Sequence, residues 1–68
     1  MAKIEGEELS TVNQWDPVTY VPPHAKGNAS HKDCEQGVIV SFEEENVKVL
    51  YCKNRKIQTT RDVDLVWG

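Results

Sequence analysis

The 68-residue sequence has few aromatic residues and no long apolar segment. Its five aromatic side chains and a hydrophobic fraction of 38% leave room only for a thin core. No apolar run approaches the roughly 20 residues of a membrane-spanning helix, and residues 1–8 lack the continuous apolar stretch of a secretory signal. The chain is also too short for two domains of about 100–150 residues each. These absences predict one small domain in the cytoplasm, without membrane association.

Cysteine is scarce as well, because the chain contains only Cys34 and Cys52. Two cysteines cannot build the multiple bridges on which small secreted domains depend. In a reducing cytoplasm, we expect both residues to be free thiols or metal ligands rather than a disulfide.

The charge is acidic overall but unevenly distributed. Eleven acidic residues outweigh eight basic ones to give a net charge of -3. Residues 53–61 are an exception, because they carry Lys53, Arg55, Lys56 and Arg61. Such a basic segment could contact phosphates, so a nucleic-acid-associated accessory protein is one alternative function. The simpler interpretation is an ordinary solvated turn, which the acidic total and the scarcity of stacking aromatics favour.

Alternating apolar residues and turn residues predict five short β-strands, over residues 18–21, 37–42, 47–52, 56–60 and 65–67. A single helical turn is expected over residues 61–64, with Asp62 as its cap. The predicted inward-facing side chains are those of Val38, Val40, Phe42, Val47, Val49, Tyr51, Ile57 and Thr59.

Residues 1–14 offer few large apolar groups, so we expect a disordered or weakly ordered tail before a domain over residues 15–68. The predicted fold is mainly β, a small five-stranded SH3-like barrel of the Tudor or KOW kind. A long first loop, two tight hairpins and a helical turn before the last strand are typical of that fold, and closure would remove exposed sheet edges. We expect Trp15 and Trp67 to fill its core or cover an open end. The competing architecture is an open sheet packed on a helix over residues 5–14.

Two motifs flank the long loop between the first two predicted strands. Residues 20–25 follow the pattern Tyr-x-Pro-x-His-Ala, and residues 31–37 follow His-x-Asp-Cys-Glu-x-Gly. With the terminal Asp64-Leu65, this pattern resembles a group of small uncharacterised proteins of bacteriophages and prophages. The resemblance covers about residues 18–66 and implies an SH3-like barrel without an established activity. Those relatives carry a second cysteine near the terminal Asp-Leu, whereas this chain has Cys52.

The loop over residues 22–35 is the predicted contact surface, because long loops in compact domains tend to carry function. We expect a non-enzymatic, monomeric binding module whose partner is a protein, with a host protein as one candidate. Catalysis by Cys34 with a loop histidine is disfavoured, because the sequence offers no orienting segment or set of oxyanion donors. The predicted partner-binding residues are His24, Lys26, Asn28, His31, Asp33 and Glu35.

No cofactor is expected, but zinc remains an alternative. Imidazole nitrogens and thiolate sulfurs are preferred zinc ligands, and a structural site takes four of them. If the loop folds over the second hairpin, the four ligands would be His24, His31, Cys34 and Cys52. The simpler interpretation is that the histidines hydrogen-bond to the loop backbone, Asp33 makes a turn and Cys34 is a small buried side chain.

Overall fold

The computed structural model describes all 68 residues, and the chain is mainly β. A two-residue pair of strands comes first, followed by five strands that form the main sheet. The strands are β1 (Lys3–Ile4), β2 (Glu7–Glu8), β3 (Pro17–Tyr20), β4 (Glu35–Glu43), β5 (Asn46–Tyr51), β6 (Ile57–Arg61) and β7 (Leu65–Trp67). Three single-turn 3-10 helices span Thr11–Asn13, Pro23–Ala25 and Asp62–Asp64. None of these helices has the length and apolar character needed to cross a membrane.

The main sheet is antiparallel throughout, in the order β6-β5-β4-β3-β7. The five predicted strands are therefore confirmed, with boundaries that differ by one or two residues at most ends. The edge strands β6 and β7 do not pair with each other, so the hydrogen-bonded ladder does not close on itself. The structure establishes a five-stranded sheet and a two-stranded sheet, not the predicted closed barrel.

A β-bulge in β4 changes which of its side chains face the core. The register with β5 shifts between Ile39 and Ser41, which leaves Val40 without a partner. Before the bulge, Ile39 opposes Val49 and is fully buried, while Val38 and Val40 are only half-buried. After it, Phe42 opposes Val47 and packs on the core. The predicted inward row is thus wrong for Val38 and Val40, because the extra residue reverses the alternation within one strand.

The predicted orientation of β6 is also wrong. Ile57 is 56% exposed and Thr59 is exposed, because Ile57 opposes the outward-facing Leu50. Thr60 instead lies opposite the buried Val47, and its hydroxyl hydrogen-bonds the hydroxyl of Tyr51. The edge strand therefore contributes a polar contact to the core side rather than an apolar one.

The N-terminal segment differs from the expected tail. Ala2, Ile4 and Leu9 are buried in the main core, and the Leu9 N–H donates to the Ala2 carbonyl at 2.9 Å. Three apolar side chains are enough to complete one end of so thin a core, which compensates for ordering this short hairpin. The alternative helix over residues 5–14 does not form either.

Asp62 and Trp15 have different roles from those expected. The Asp62 carboxylate accepts the backbone N–H of Lys3 at 2.8 Å, while the helix that it begins has no side-chain cap. The predicted cap is therefore wrong, and Asp62 ties the N-terminal hairpin to the end of the sheet. Trp15 is 59% exposed, whereas Trp67 is half-buried against the core.

Candidate functional site

The loop between β3 and β4 has a hydrogen-bonded frame of its own. Backbone N–H groups donate to the carbonyl three residues earlier at four successive steps, from Ala25 to Pro22, Asn28 to Ala25, His31 to Asn28 and Cys34 to His31. Each of these bonds measures 2.9–3.0 Å. Repeated turns of this kind provide hydrogen-bond partners for the backbone N–H and C=O groups without a partner strand. The loop lies outside the sheet, as predicted, and is nevertheless ordered.

The start of the loop is fixed to the domain by burial and by one long-range bond. The Val21 N–H donates to the Asp64 carbonyl at 2.8 Å, and Pro22 and Ala25 are buried. Pro23 begins the short helix, where its missing N–H costs nothing. Lys26 and Gly27 then reverse the chain with left-handed φ angles of 52° and 81°, a conformation that glycine adopts without strain.

Three side chains meet across this loop, and this set is called the His-Asp cluster below. Its members are His24, His31 and Asp33. The Asp33 Oδ2 atom lies 2.7 Å from His24 Nε2 and 3.9 Å from His31 Nδ1. The backbone N–H of Asp33 also donates to His31 Nδ1 at 3.0 Å. The two imidazole rings meet edge to face, with their centroids 5.3 Å apart.

The His-Asp cluster is open to solvent. The side chains of His24 and Asp33 are 60% and 48% exposed, and that of His31 is 29% exposed. A polar contact this exposed contributes little to stability, because water competes with it. The three ligating atoms nevertheless lie within 4.8 Å of one another, and no other group of three histidine, cysteine or acidic side chains does so.

A cleft of about 460 Å³ lies beside the cluster, between the loop and the sheet. His31 lines both sites, and Cys34 and Cys52 both line the cleft. The Cys52 N–H donates to the Gln36 carbonyl at 2.9 Å, which places Cys52 diagonally across the ladder from Cys34. Both cysteines are free thiols; Cys34 is half-buried and Cys52 is exposed.

The six predicted partner-binding residues do not form one uniform surface. Asn28 accepts the Ser30 N–H with its side chain and the Cys34 thiol with its carbonyl, at 3.0 Å and 3.4 Å. Asn28 therefore supports the loop from within, whereas His24, His31 and Asp33 contact one another at its surface. Lys26 is exposed at the chain reversal. Glu35 is the first residue of β4 and lies on the sheet rather than in the loop.

The structure brings together a different metal-ligating set from the one predicted. Neither Cys34 nor Cys52 belongs to the His-Asp cluster, and Asp33 takes the place that the sequence assigns to a thiolate. Asp33 follows His31 by two residues and His24 by nine, a spacing that sequence analysis treats as an ordinary turn. A succession of four-residue turns folds these distant positions together. The residue types alone do not mark it.

The four residues of the basic segment are divided between the two ends of β6. Lys53, Arg55 and Lys56 surround the turn that precedes this strand, and Arg55 there has a left-handed φ of 56°. Arg61 ends the strand, and its guanidinium lies 3.6 Å from the carboxylate of Glu45. Glu45 belongs to the turn between β4 and β5. A strand of this length separates its ends by about 15 Å, so the predicted patch of four charges is reduced to three.

One titratable side chain in the sheet has a perturbed proton affinity. Burial raises the pKa of Tyr51 above its usual value of 10.0, and the nearby negative charges of Glu35 and Asp64 raise it further. The hydrogen bond to Thr60 acts in the opposite direction. Tyr51 also packs edge to face on Tyr20, with ring centroids 6.4 Å apart. Its neutral hydroxyl is therefore part of the core contact between β5 and β6.

Known proteins do not add a functional assignment to this geometry. No family model matches the chain, and neither a curated protein nor a solved structure matches it. Function is therefore inferred from the loop, the cluster and the cleft.

Proposed function

We propose that this chain is a non-enzymatic binding module with an SH3-like fold, of phage or prophage type, that captures a protein partner in the host cytoplasm through residues 22–35. The observation that carries the proposal is the ordered frame of this loop. It holds exposed polar side chains in fixed positions outside the sheet.

The strand order supports the SH3-like part of the proposal. Numbered from β3, the main sheet has the order 5-1-2-3-4, with a 3-10 turn immediately before its last strand. A long loop follows the first of these strands and tight turns follow the next two. This combination of strand order, long first loop and final 3-10 turn is typical of SH3-like barrels.

The loop frame favours recognition because the loop loses little conformational entropy when a partner binds. A flexible loop loses conformational entropy when a partner fixes it, and this loss reduces affinity. Here four successive backbone turns and the Asn28 side chain already fix the loop. Its exposed side chains can therefore contact a partner at a small entropic cost.

The charge of the loop favours a protein over a nucleic acid. Within residues 22–35, Lys26 and Lys32 are balanced by Asp33 and Glu35. A phosphate backbone requires a surplus of positive charge, whereas a protein surface with mixed hydrogen-bonding groups does not. The nucleic-acid alternative would use the three basic residues at the turn before β6, and the second experiment below tests it by reversing their charges.

The position of the Cys34 thiol supports a non-enzymatic role. A nucleophilic cysteine is activated by a base within hydrogen-bond reach. The Cys34 thiol instead donates to the Asn28 carbonyl, and the two histidines contact Asp33. No imidazole therefore hydrogen-bonds to this thiol.

The proposal is tested by quantitative affinity capture from host-cell lysate. We expect His24→Ala and His31→Ala to reduce recovery of the partner at least about fivefold, with an unchanged circular dichroism spectrum. Val63→Ala is the matched control, because Val63 is exposed in the 3-10 turn before β7 and makes no part of the loop. Unchanged capture by both histidine variants would contradict the proposal.

A second arm separates protein from nucleic-acid recognition. Nuclease treatment of the lysate and moderate salt should leave capture unchanged if the partner is a protein. Charge reversal of Lys53, Arg55 and Lys56 should have no effect either. Loss of capture in these three conditions would support the nucleic-acid alternative instead.

A further inference from the structure

We propose that the His-Asp cluster is a binding site for a divalent transition metal, with Zn²⁺ as the ion that suits its ligands best. The site consists of His24, His31 and Asp33, which each offer one ligand atom within 4.8 Å of the others. The atoms that face each other across the carboxylate are His24 Nε2, His31 Nδ1 and Asp33 Oδ2. This inference does not depend on the protein partner, because the ion would bind the isolated chain.

Two of the three spacings between ligand atoms, those to the Asp33 carboxylate, are close to what a tetrahedral ion requires. Zinc–nitrogen and zinc–oxygen bonds of about 2.0–2.2 Å place neighbouring ligands roughly 3.3 Å apart. The carboxylate oxygen now lies 2.7 Å from one imidazole nitrogen and 3.9 Å from the other. One contact must lengthen and the other must shorten by about half an ångström each. Side-chain rotations can supply such shifts while the turns of the loop stay in place.

Two hydrogen bonds are exchanged when the ion binds. His24 changes tautomer, so that its ring proton moves from Nε2, where it faces Asp33, to Nδ1, and His31 Nδ1 gives up the N–H of Asp33. Both nitrogens then present a lone pair to the metal, as zinc ligation by neutral imidazole requires. The Asp33 N–H is exposed and can donate to water instead.

The chemistry of the ligands selects the class of ion. Two imidazoles and one carboxylate suit Zn²⁺ and neighbouring transition metals, whereas Mg²⁺ and Ca²⁺ prefer oxygen ligands alone. The exposure of His24 and Asp33 leaves room for water in the fourth position. Three protein ligands and a water are typical of an open zinc site rather than a closed structural one.

The first experiment is a titration of the intact, reduced chain with Zn²⁺ in competition with a chromophoric chelator. We expect one ion per chain. His24→Ala and Asp33→Asn should each weaken binding at least about tenfold, because the first removes a ligand and the second removes the negative charge of another. Glu35→Gln is the matched control, since Glu35 is a carboxylate two residues from Asp33 outside the cluster, and its affinity should stay within about twofold. No binding by the natural chain, or unchanged binding by Asp33→Asn, would overturn the proposal.

The second experiment distinguishes this site from the thiols of the neighbouring cleft. Co²⁺ bound to the natural chain should give a visible spectrum without the near-ultraviolet charge-transfer band that thiolate ligands produce. The double variant Cys34→Ser, Cys52→Ser should bind Zn²⁺ with unchanged affinity. A strong thiolate band, or loss of binding in a folded serine variant, would assign the ion to the cleft and overturn the proposal. The cobalt spectrum needs no variant, so it remains decisive if a substitution disturbs the loop.

Discussion

Replacing Gly37 with alanine would place a methyl group inside the contact between β4 and β5. An added Cβ would lie 2.6 Å from the Leu50 carbonyl oxygen and 2.6 Å from Val49 Cγ1. The first atom belongs to the backbone, and the second belongs to a stiff, fully buried side chain. Neither can move aside cheaply, so the two strands must separate.

The magnitude follows from the cost of overpacking a well-filled core, about 1–3 kcal/mol. A domain of this length has a total stability of about 3–10 kcal/mol. The substitution should therefore remove a large part of the free energy of unfolding and lower the Tm by roughly 5–20 °C. Gly37→Val should be worse, because its branches meet the same two atoms.

Thermal melting followed by circular dichroism measures this effect, with Gly27→Ala and Gly27→Asn as controls. Gly27 has a left-handed φ of 81° and nothing within 4 Å of an added Cβ. Its alanine variant should lose only about 1 kcal/mol, from backbone strain, and asparagine should lose less because it tolerates this conformation. A Gly37→Ala variant that melts within about 2 °C of the natural chain would refute the predicted contact.

Two further predictions concern the core. Ile4 is fully buried, so Ile4→Ala should cost about 2–4 kcal/mol in urea denaturation, whereas Val12→Ala, at an 82% exposed position, should change stability by less than about 0.5 kcal/mol. Equal stabilities would contradict the packing of the N-terminal hairpin. Burial raises the pKa of Tyr51 above 10.0, so its contribution is complete below pH 10 and is lost as the pH rises through the higher folded-state pKa. Above about pH 10, the free energy of unfolding should therefore fall more steeply in the natural chain than in Tyr51→Phe. Parallel declines would contradict this.

The main sheet could be predicted because its strands alternate clearly and its turns contain suitable residues. Val47, Val49 and Tyr51 face the core as expected. The phase of β4 could not be predicted, because Val38, Ile39 and Val40 are all apolar and either alternation would fit. The bulge that selects Ile39 depends on pairing with β5, which a single strand does not encode.

The N-terminal hairpin was missed for a related reason. Its buried residues are few and widely spaced, at positions 2, 4 and 9, so no local periodicity marks them. Their burial depends on contacts with distant elements, including the bond from Lys3 to Asp62. Composition alone therefore predicts a disordered tail here, because the contacts that bury these residues come from strands far away in the sequence.

The sequence predicts which loop holds the candidate site, but not which side chains of the loop contact each other. Both histidines are in the expected segment, and their residue types suggested metal ligation. The contact between His24 and Asp33 depends on the turns that fold nine residues back on themselves. Those turns are satisfied by backbone atoms, so the side chains that they bring together could not be identified from residue types alone.

The proposed role of the loop is tested most directly by hydrogen exchange on the natural chain, with and without its captured partner. The partner should slow amide exchange within residues 22–35 and leave exchange in the turn before β6 unchanged. Slower exchange confined to residues 53–61, with none in the loop, would contradict it.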